Sequence, residues 1–516
     1  MKKIITMVLV LMTIVLSAAM EEYDRKSISI FKMDVTPGAI MATKPDVQQI
    51  YDGIFKKFTG MGRFDYNPIP AGVTNASELF EIVKEYTATK IEERAGKQWD
   101  IKNEYYGSNF VTGENVDKIM NGAYILFPRL NAFVVKKKKK GDDFSASISV
   151  SVDIYAGKNT GTPENPVWTP ELIKTISASG SNAFGSLFDL NLNPKKENKR
   201  RKAIKAATSG MLLFLEKELK KVDAFKIKAL VTKAEPKKDK IAFNFGKNVG
   251  IKVDDAYTMG YFQKNKKGKQ VFVETGFMKV RKVKAKESIS QLLIVTNPKN
   301  EKEADLFNEY DQCYEYPLVG INFVINAGFN NGFKSWENYP EVAGNLKEIA
   351  GAGLFGLRLE YNIAKYISIS ELYFFAGGDL VVTDLGNMEI DFVDYEFTQT
   401  TAIIEVGLMK KFFIRRFAWY LGAAYVYENM DIKVDPEPTT WDLYAPWASG
   451  GFRGVVGINY MLSKTWFFDI QTTFTSMNPI MDSEGDEIDF GFPDDDETDF
   501  LVPNGLAVKL GIGFTL

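Results

Sequence analysis

The sequence predicts a multidomain protein with an α/β domain, a small β domain and a C-terminal eight-stranded antiparallel transmembrane β-barrel. Three observations support this prediction. Residues 317–516 repeat segments of about ten residues in which apolar side chains alternate with small or polar ones, as in the strands of membrane barrels. The chain starts with a segment typical of an export signal. Its charge also changes sign near Pro317, which indicates a domain boundary.

Residues 1–19 have the layout of a secretory signal peptide. Lys2 and Lys3 precede an apolar run at 4–16, and the small residues at 17–19 suit cleavage. The apolar run is shorter than the roughly 20 residues that a membrane-spanning helix needs. We therefore expect the segment to be removed during export into the envelope of a two-membraned bacterium.

The charge is distributed unevenly along the chain. Residues 20–316 contain 50 Lys and Arg against 38 Asp and Glu, whereas residues 317–516 contain 12 against 28. The net charges of the two parts are therefore +12 and −16. The predicted domains are a signal peptide at 1–19, a periplasmic α/β domain at 20–225, a small β domain at 226–296, a linker at 297–316 and the barrel at 317–516.

The composition limits the chemistry. Histidine is absent, which removes the usual general base of serine and cysteine hydrolases and the commonest metal ligand. Cys313 is the single cysteine, so no internal disulfide can form. No nucleophile–base pair, metal-ligand spacing or phosphate loop stands out, and we expect no catalytic residue, metal or cofactor.

Eight segments have the alternation expected of barrel strands. They are 318–329, 351–363, 366–380, 398–412, 417–427, 452–462, 466–476 and 506–516. In the third segment the pattern slips near Glu371, which either a β-bulge or a wrongly assigned strand would explain. Short links should be periplasmic turns, and the long polar links at 330–349, 381–397, 428–449 and 477–504 should be outer loops. Strands of a soluble β-sandwich are the alternative.

The lumen of an eight-stranded barrel can be filled by side chains, so the barrel should be an anchor and not a pore. Six charged residues at inward positions should form ion pairs, because buried charges need partners. They are Arg358, Glu360, Glu405, Arg453, Asp469 and Lys509. Aromatic residues near the strand ends should mark the membrane interfaces. They are Tyr361, Tyr366, Trp419, Tyr460 and Trp466.

The last eight residues resemble the C-terminal β-signal that the barrel-assembly machinery recognises. That pattern requires a polar residue, a glycine and two apolar or aromatic residues at fixed spacing, and Lys509, Gly511, Phe514 and Leu516 match it. The resemblance implies an outer-membrane location, with outer-membrane lipid and the assembly machinery as partners.

The N-terminal part alternates strand-like and helix-like segments, which predicts a sheet covered by helices. The predicted strands are 27–35, a second one entered through a turn at 60–66, 123–135 and 144–156. The predicted helices are 45–58, 77–94 and 199–222. This region resembles the CsgG-like curli-secretion and TolB amino-terminal families at Ser27–Val35, at Gly62-Arg63-Phe64 and near Asn159-Thr160-Gly161. It departs from the curli-secretion proteins in carrying no lipidation cysteine, so a secretion pore does not follow.

The small β domain resembles the SH3-like unit of flagellar assembly protein T-like proteins, at residues 240–246 and 250–257. The resemblance implies contacts with other proteins and no chemistry. Two charge clusters could bind ligands or be solvated surface. The run Lys136, Lys137, Lys138, Lys139 and Lys140 could contact an anionic partner, and the acidic residues between 482 and 499 could hold calcium.

These features predict a non-enzymatic outer-membrane protein whose periplasmic domains mediate envelope or appendage assembly. The partner would be a periplasmic protein or the cell wall, and no nucleic acid is expected. One alternative is a surface adhesin or ligand-binding protein that acts through its acidic outer loops. The other is a carboxylate-dependent envelope hydrolase.

Overall fold

The computed structural model of the protein contains two compact units. One unit is Met1–Ala229 with Asn244–Ile251 and Lys284–Glu287, and the other is Leu230–Phe243, Lys252–Val283 and Ser288–Leu516. The residues that the structure describes are 25–67, 76–89, 97–103, 107–112, 116, 124–139, 143–162, 167–185, 198–330, 352–390, 393–435, 447–477 and 505–516. The predicted signal peptide lies outside them.

The first unit is built on a mixed β-sheet. Its strands are β1 (Lys26–Ile30), β2 (Asp34–Val35), β3 (Phe64–Tyr66), β6 (Tyr124–Lys137), β7 (Phe144–Asn159) and β8 (Trp168–Ser181), and a separate hairpin comprises β4 (Gln98–Asn103) and β5 (Gly107–Thr112). The order is β3-β1-β6-β7-β8, with β2 beside β6. β1 is parallel to β3 and β6, whereas β6, β7 and β8 are antiparallel. β8 was not predicted from the sequence.

Helices cover both faces of this sheet. They are α1 (Lys44–Thr59), α2 (Ala76–Ala88), the short α3 (Asn182–Gly185) and α4 (Lys199–Lys220). Apolar residues of α1 and α4, such as Ile54 and Leu215, share one core with Leu126 of β6. Leu79 of α2 shares the other core with Phe127. Because neighbouring strand residues point to opposite faces, Leu126 and Phe127 place the two cores on opposite sides of the sheet.

The second unit begins with a small closed barrel. Its strands are β9 (Lys228–Glu235), β10 (Lys240–Phe243), β11 (Ala256–Lys264), β12 (Gln270–Val283), β13 (Ser288–Val295) and β14 (Gln312–Glu315). The order around the barrel is β10-β13-β12-β11-β14-β9. Residues 297–316 are therefore not a simple linker as predicted, because β14 pairs with β11 and closes the barrel.

The rest of the second unit is a closed barrel of eight antiparallel strands, which confirms the predicted barrel. The strands are β15 (Ile321–Asn330), β16 (Ala352–Asn362), β17 (Leu372–Ile390), β18 (Val393–Ile414), β19 (Phe417–Asp435), β20 (Trp447–Met461), β21 (Trp466–Met477) and β22 (Gly505–Thr515). Each strand pairs with the next along the chain, and β22 pairs with β15, so that Phe514 lies opposite Phe323.

Two predictions within this barrel were wrong. The predicted strand at 366–380 begins only at Leu372, because α5 (Ala364–Ile367) occupies its first residues and Glu371 has a positive φ of 52°. The slip near Glu371 is thus a turn and not a bulge. The predicted outer loop at 381–397 is mostly strand, because β17 and β18 remain paired out to Ile390 and Val393.

Among the described residues, no helix is long and apolar enough to cross a membrane.

Candidate functional site at the junction of the two barrels

The outer surface of the eight-stranded barrel is apolar. Side chains alternate between exposed and buried along the strands, and each of the eight strands exposes a large aliphatic residue. These residues, between 47% and 62% exposed, are Ile325, Leu357, Leu380, Ile404, Leu421, Val456, Ile470 and Leu510. A continuous apolar surface of this kind is unfavourable in water and indicates contact with lipid.

Aromatic residues lie at or beside the ends of these strands, with Tyr366 on α5 in the link after β16. Tyr366, Trp419 and Trp466 are exposed, as expected for an interfacial girdle. Tyr460 is half-buried. Tyr361 is only 2% exposed, so its predicted place in the girdle was wrong; its hydroxyl lies 2.8 Å from that of Tyr366.

Charged side chains fill the lumen in two groups. In the first, Arg358 donates to Glu360 at 3.0 Å and to Asp469 at 2.8 Å. Lys411 also donates to Glu360, at 2.6 Å. In the second, Arg453 lies 2.8 Å from both Asp379 and Glu405, and Lys509 pairs with Asp379. The structure thus places all six predicted charges in the interior, each in an ion pair.

Two members of this network, Lys411 and Asp379, were not predicted from the sequence. Lys411 is six residues from Glu405 on β18 and therefore has the same inward direction, so the alternation alone could have identified it. The inward direction of Asp379 was not recognised because the predicted third strand began in the wrong place. Both are buried.

The residues that match the β-signal pattern lie on β22, where the barrel closes. Lys509 points inward, and a Cβ at Gly511 would lie 2.8 Å from a carbonyl oxygen of β15. Phe514 packs on Trp466, with ring centroids 4.9 Å apart. The carbonyl oxygen of Leu516 accepts a hydrogen bond from the backbone of Val319 at 2.7 Å. Recognition by the assembly machinery stays a prediction.

The candidate residues of the first unit have different surroundings. Gly62 has a positive φ of 74°, and the buried Arg63 donates to the carbonyl oxygen of Phe225 at 3.2 Å. Lys136–Lys139 are exposed at the end of β6, and Lys140 is outside the described residues. In the second unit, the acidic residues between 482 and 499 are also outside them. The likeness to CsgG-like and TolB proteins stays a prediction, and so does the anion contact.

A buried charge cluster joins the small barrel to the short link between β16 and β17. Lys279 and Arg281 of β12 contact the carboxylate of Glu371 at 3.1 and 2.5 Å. Arg281 also contacts Asp254 at 2.6 Å. Asp254 accepts a hydrogen bond from Asn362 at 2.8 Å and another from the backbone of Glu371 at 2.5 Å.

The two carboxylates of this cluster titrate in opposite directions. Burial alone would raise the pKa of Glu371, but the charges of Lys279 and Arg281 bring that pKa below its usual value. Burial raises the pKa of Asp254, and the neighbouring charge of Glu371 raises it further. Glu371 is therefore the carboxylate that the two cations hold ionised.

The small barrel is also attached at the two remaining short links. At the link between β18 and β19, Arg415 pairs with Asp239 and with Glu303, the latter at 2.5 Å. At the link between β20 and β21, Lys464 pairs with Glu274 of β12, and its ammonium lies 5.0 Å from the ring of Tyr316. Polar contacts therefore fix the small barrel at all three short links of the large one.

Apolar packing accompanies these ion pairs. Phe277 and Leu293 of the small barrel form one buried cluster with Met461 of β20, and Phe413 of β18 packs against it. Gln291 donates to the carbonyl oxygen of Phe413 at 2.7 Å. The junction therefore combines a water-excluding core with paired charges, as in the interior of a single domain.

A scan against protein-family models and a search of curated proteins gave no match. Among solved structures, the chain is similar to Ail, the attachment invasion locus protein of Yersinia pestis, with 9% identity and a TM-score of 0.24 over 38% of this chain and 99% of that one. It is also similar to Neisserial surface protein A, with 12% identity, a TM-score of 0.22 and coverage of 38% and 95%.

A third similar structure is a major outer membrane protein from Thermus thermophilus, with 12% identity, a TM-score of 0.23 and coverage of 38% and 99%. Because these TM-scores are low, the assignment of this barrel to a membrane depends on its own apolar surface. Similarity to flagellar assembly protein T-like units stays a prediction for the six-stranded barrel.

The carboxylates of the junction are all bonded to neighbouring groups. Asp254 and Glu371 accept hydrogen bonds from cations or amides, and Tyr373 also donates to Glu371 at 2.6 Å. Among the described residues, no group of three or more acidic, cysteine or histidine side chains could hold a metal ion. The junction was not predicted from the sequence, although Lys279 and Arg281 lie two residues apart and so share one face of β12.

Proposed function

We propose that this protein is a non-enzymatic outer-membrane anchor that holds its soluble domains in place for envelope or appendage assembly. The eight-stranded barrel would be the membrane part, and the small barrel would be a mount fixed to its periplasmic mouth. The attachment of the small barrel at all three short links is the observation that carries this proposal.

The positions of these contacts support an orientation in which the small barrel lies on the periplasmic side. Membrane barrels place their short turns in the periplasm and their long loops outside. The links at 363–371, 415–416 and 462–465 are short, and the small barrel contacts each of them. A soluble domain that must present a surface to an assembly partner benefits from rigid mounting, because less freedom is lost on binding.

The proposal can be tested with the full chain in a Gram-negative host. One variant would have the outer links 331–350 and 478–503 shortened, and a second would reverse exposed charges on α4, such as Lys199→Glu and Lys202→Glu. Partners captured by mild cross-linking would be quantified for both variants and the wild type. Heat-dependent mobility on a gel would verify that the eight-stranded barrel of each variant is folded.

An assembly role predicts that the captured partners survive the shortened links and decrease when a periplasmic surface is altered. Loss of the partners on shortening the outer links alone would contradict the proposal and support surface binding. A hydrolytic activity of the full chain that disappears with a carboxylate substitution would also contradict it.

A further inference from the structure

The hairpin of β11 and β12 extends beyond the rim of the large barrel. Glu274 lies opposite Gly260 in this hairpin, and pairing continues outward through Phe262 opposite Phe272 to Lys264 opposite Gln270. Since Glu274 is bonded to Lys464 at the barrel rim, the four paired residues beyond it, 270–273, extend the hairpin by about 13 Å at about 3.3 Å per residue before the turn.

The direction of β12 follows from its two attachments. Lys279 contacts Glu371 at the link between β16 and β17, whereas Glu274 contacts Lys464 at the link between β20 and β21. In a closed ring of eight consecutive strands, these two links are four strands apart and therefore opposite each other. β12 thus crosses the mouth of the barrel, and its hairpin continues outward past the rim near Lys464.

One face of the overhanging hairpin is aromatic. Side chains directly opposite each other on paired strands share a face, so Phe262 and Phe272 lie on the same side as Glu274, two residues away. The ring of Tyr314 packs edge-on against Phe272 at 4.7 Å and lies 6.5 Å from Phe262. This is the face that meets Lys464 at the rim. Phe262 is 44% exposed there.

The tip of the hairpin is basic. Residues 261–273 include four lysines and no acidic residue, and the lysines are exposed. They are Lys264, Lys266, Lys267 and Lys269. Exposed aromatic and basic residues beside the end of a membrane span are the combination that binds the headgroup region of an anionic lipid surface.

We propose that this hairpin, residues 260–274, binds the anionic lipid headgroups of the leaflet that surrounds the short links of the barrel. Phe262 enters the interface, and the four lysines contact the phosphates. The hairpin thereby sets the tilt of the small barrel against the membrane. This inference depends on the proposed membrane location of the eight-stranded barrel.

A spin label at Gln270→Cys in the full chain tests the proposal, because Gln270 lies on the aromatic face. A label at Gln263→Cys on the opposite face is the matched control. Cys313 is fully buried, and burial raises the pKa of its thiol, so it does not compete for the label. The chain would be reconstituted in phosphatidylethanolamine vesicles with and without phosphatidylglycerol.

With phosphatidylglycerol present, the label at 270 should lose collisions with a water-soluble nickel chelate, whereas the label at 263 should keep them. Each lysine replaced by glutamine should lower the ratio of lipid-bound to free hairpin about fivefold, which corresponds to about 1 kcal/mol per basic residue near an anionic surface. These lysines are exposed, so the barrel fold should be unaffected.

Equal accessibility of both labels in every vesicle would overturn the proposal. Protection at 270 that persists in detergent without lipid would also overturn it, because protein and not lipid would then shield the label. A third label at Leu510→Cys reports on the barrel alone. If the label at 510 collides with lipid-soluble oxygen while the label at 270 stays in water, only this inference fails. If the label at 510 also stays in water, the proposed membrane location of the barrel fails.

Discussion

At the level of single residues, the face on which a strand side chain lies can be predicted from the sequence. Arg453 and Lys509 were predicted to be inward and paired because alternation fixes the face on which a side chain lies. Glu371 was noticed only as a break in that alternation. Its partners Lys279 and Arg281 are about 90 residues away in the chain, and no local pattern indicates such a contact.

The substitution Glu371→Gln should loosen the junction between the barrels. It leaves the buried charges of Lys279 and Arg281 with only Asp254 as an anion, and breaking a buried ion pair costs about 3–5 kcal/mol. Hydrogen exchange of the backbone at 279–283 and 367–373 would measure the free energy of local opening. The exposed pair of Lys299 and Glu301 offers the control Glu301→Gln, which should cost at most about 1 kcal/mol.

The same variant should also show a characteristic pH dependence. A carboxylate with a lowered pKa in the folded protein stabilises it above the unfolded pKa, here 4.5, and that stabilisation is lost as the pH falls towards the folded value. The difference in opening free energy between wild type and Glu371→Gln should therefore be constant at neutral pH and shrink below pH 4.5. A difference that grew on acidification would contradict the assigned charge.

At the level of elements, the strands of the large barrel were predictable, and their exceptions have physical causes. Outside the lipid region a strand need not alternate, so the outer parts of β17 and β18 looked like a polar loop. β14 was assigned to a linker because it has four residues and depends on pairing with β11. A short strand that depends on pairing with a segment distant in the sequence has too little local pattern to be predicted.

The lipid-facing side of β22 can be tested by moving a charge along it. Leu510 is 62% exposed at the middle of the strand, whereas Leu506 is exposed near its end. Leu510→Arg should destabilise the folded barrel in vesicles by about 2–4 kcal/mol, and Leu506→Arg by about 0–1 kcal/mol. Urea unfolding followed by gel mobility would measure both. Equal effects would place β22 in water.

At the level of the whole molecule, two separate features oppose conduction through the barrel. The lumen contains the paired charges around Arg358 and Arg453, and β12 crosses the mouth between Lys279 and Glu274. The first feature was predicted from the strand count and the inward charges. The second was not, since it requires two barrels to meet through contacts that are distant in sequence.

The full chain in a planar lipid bilayer should therefore pass no steady current. The double variant Glu371→Gln with Arg415→Gln removes attachments at two of the three short links, yet it too should pass none, because the filled lumen remains. Conductance by the double variant alone would show that the small barrel, and not the lumen, is the seal. Steady conductance by the wild type would contradict the role of the barrel as an anchor.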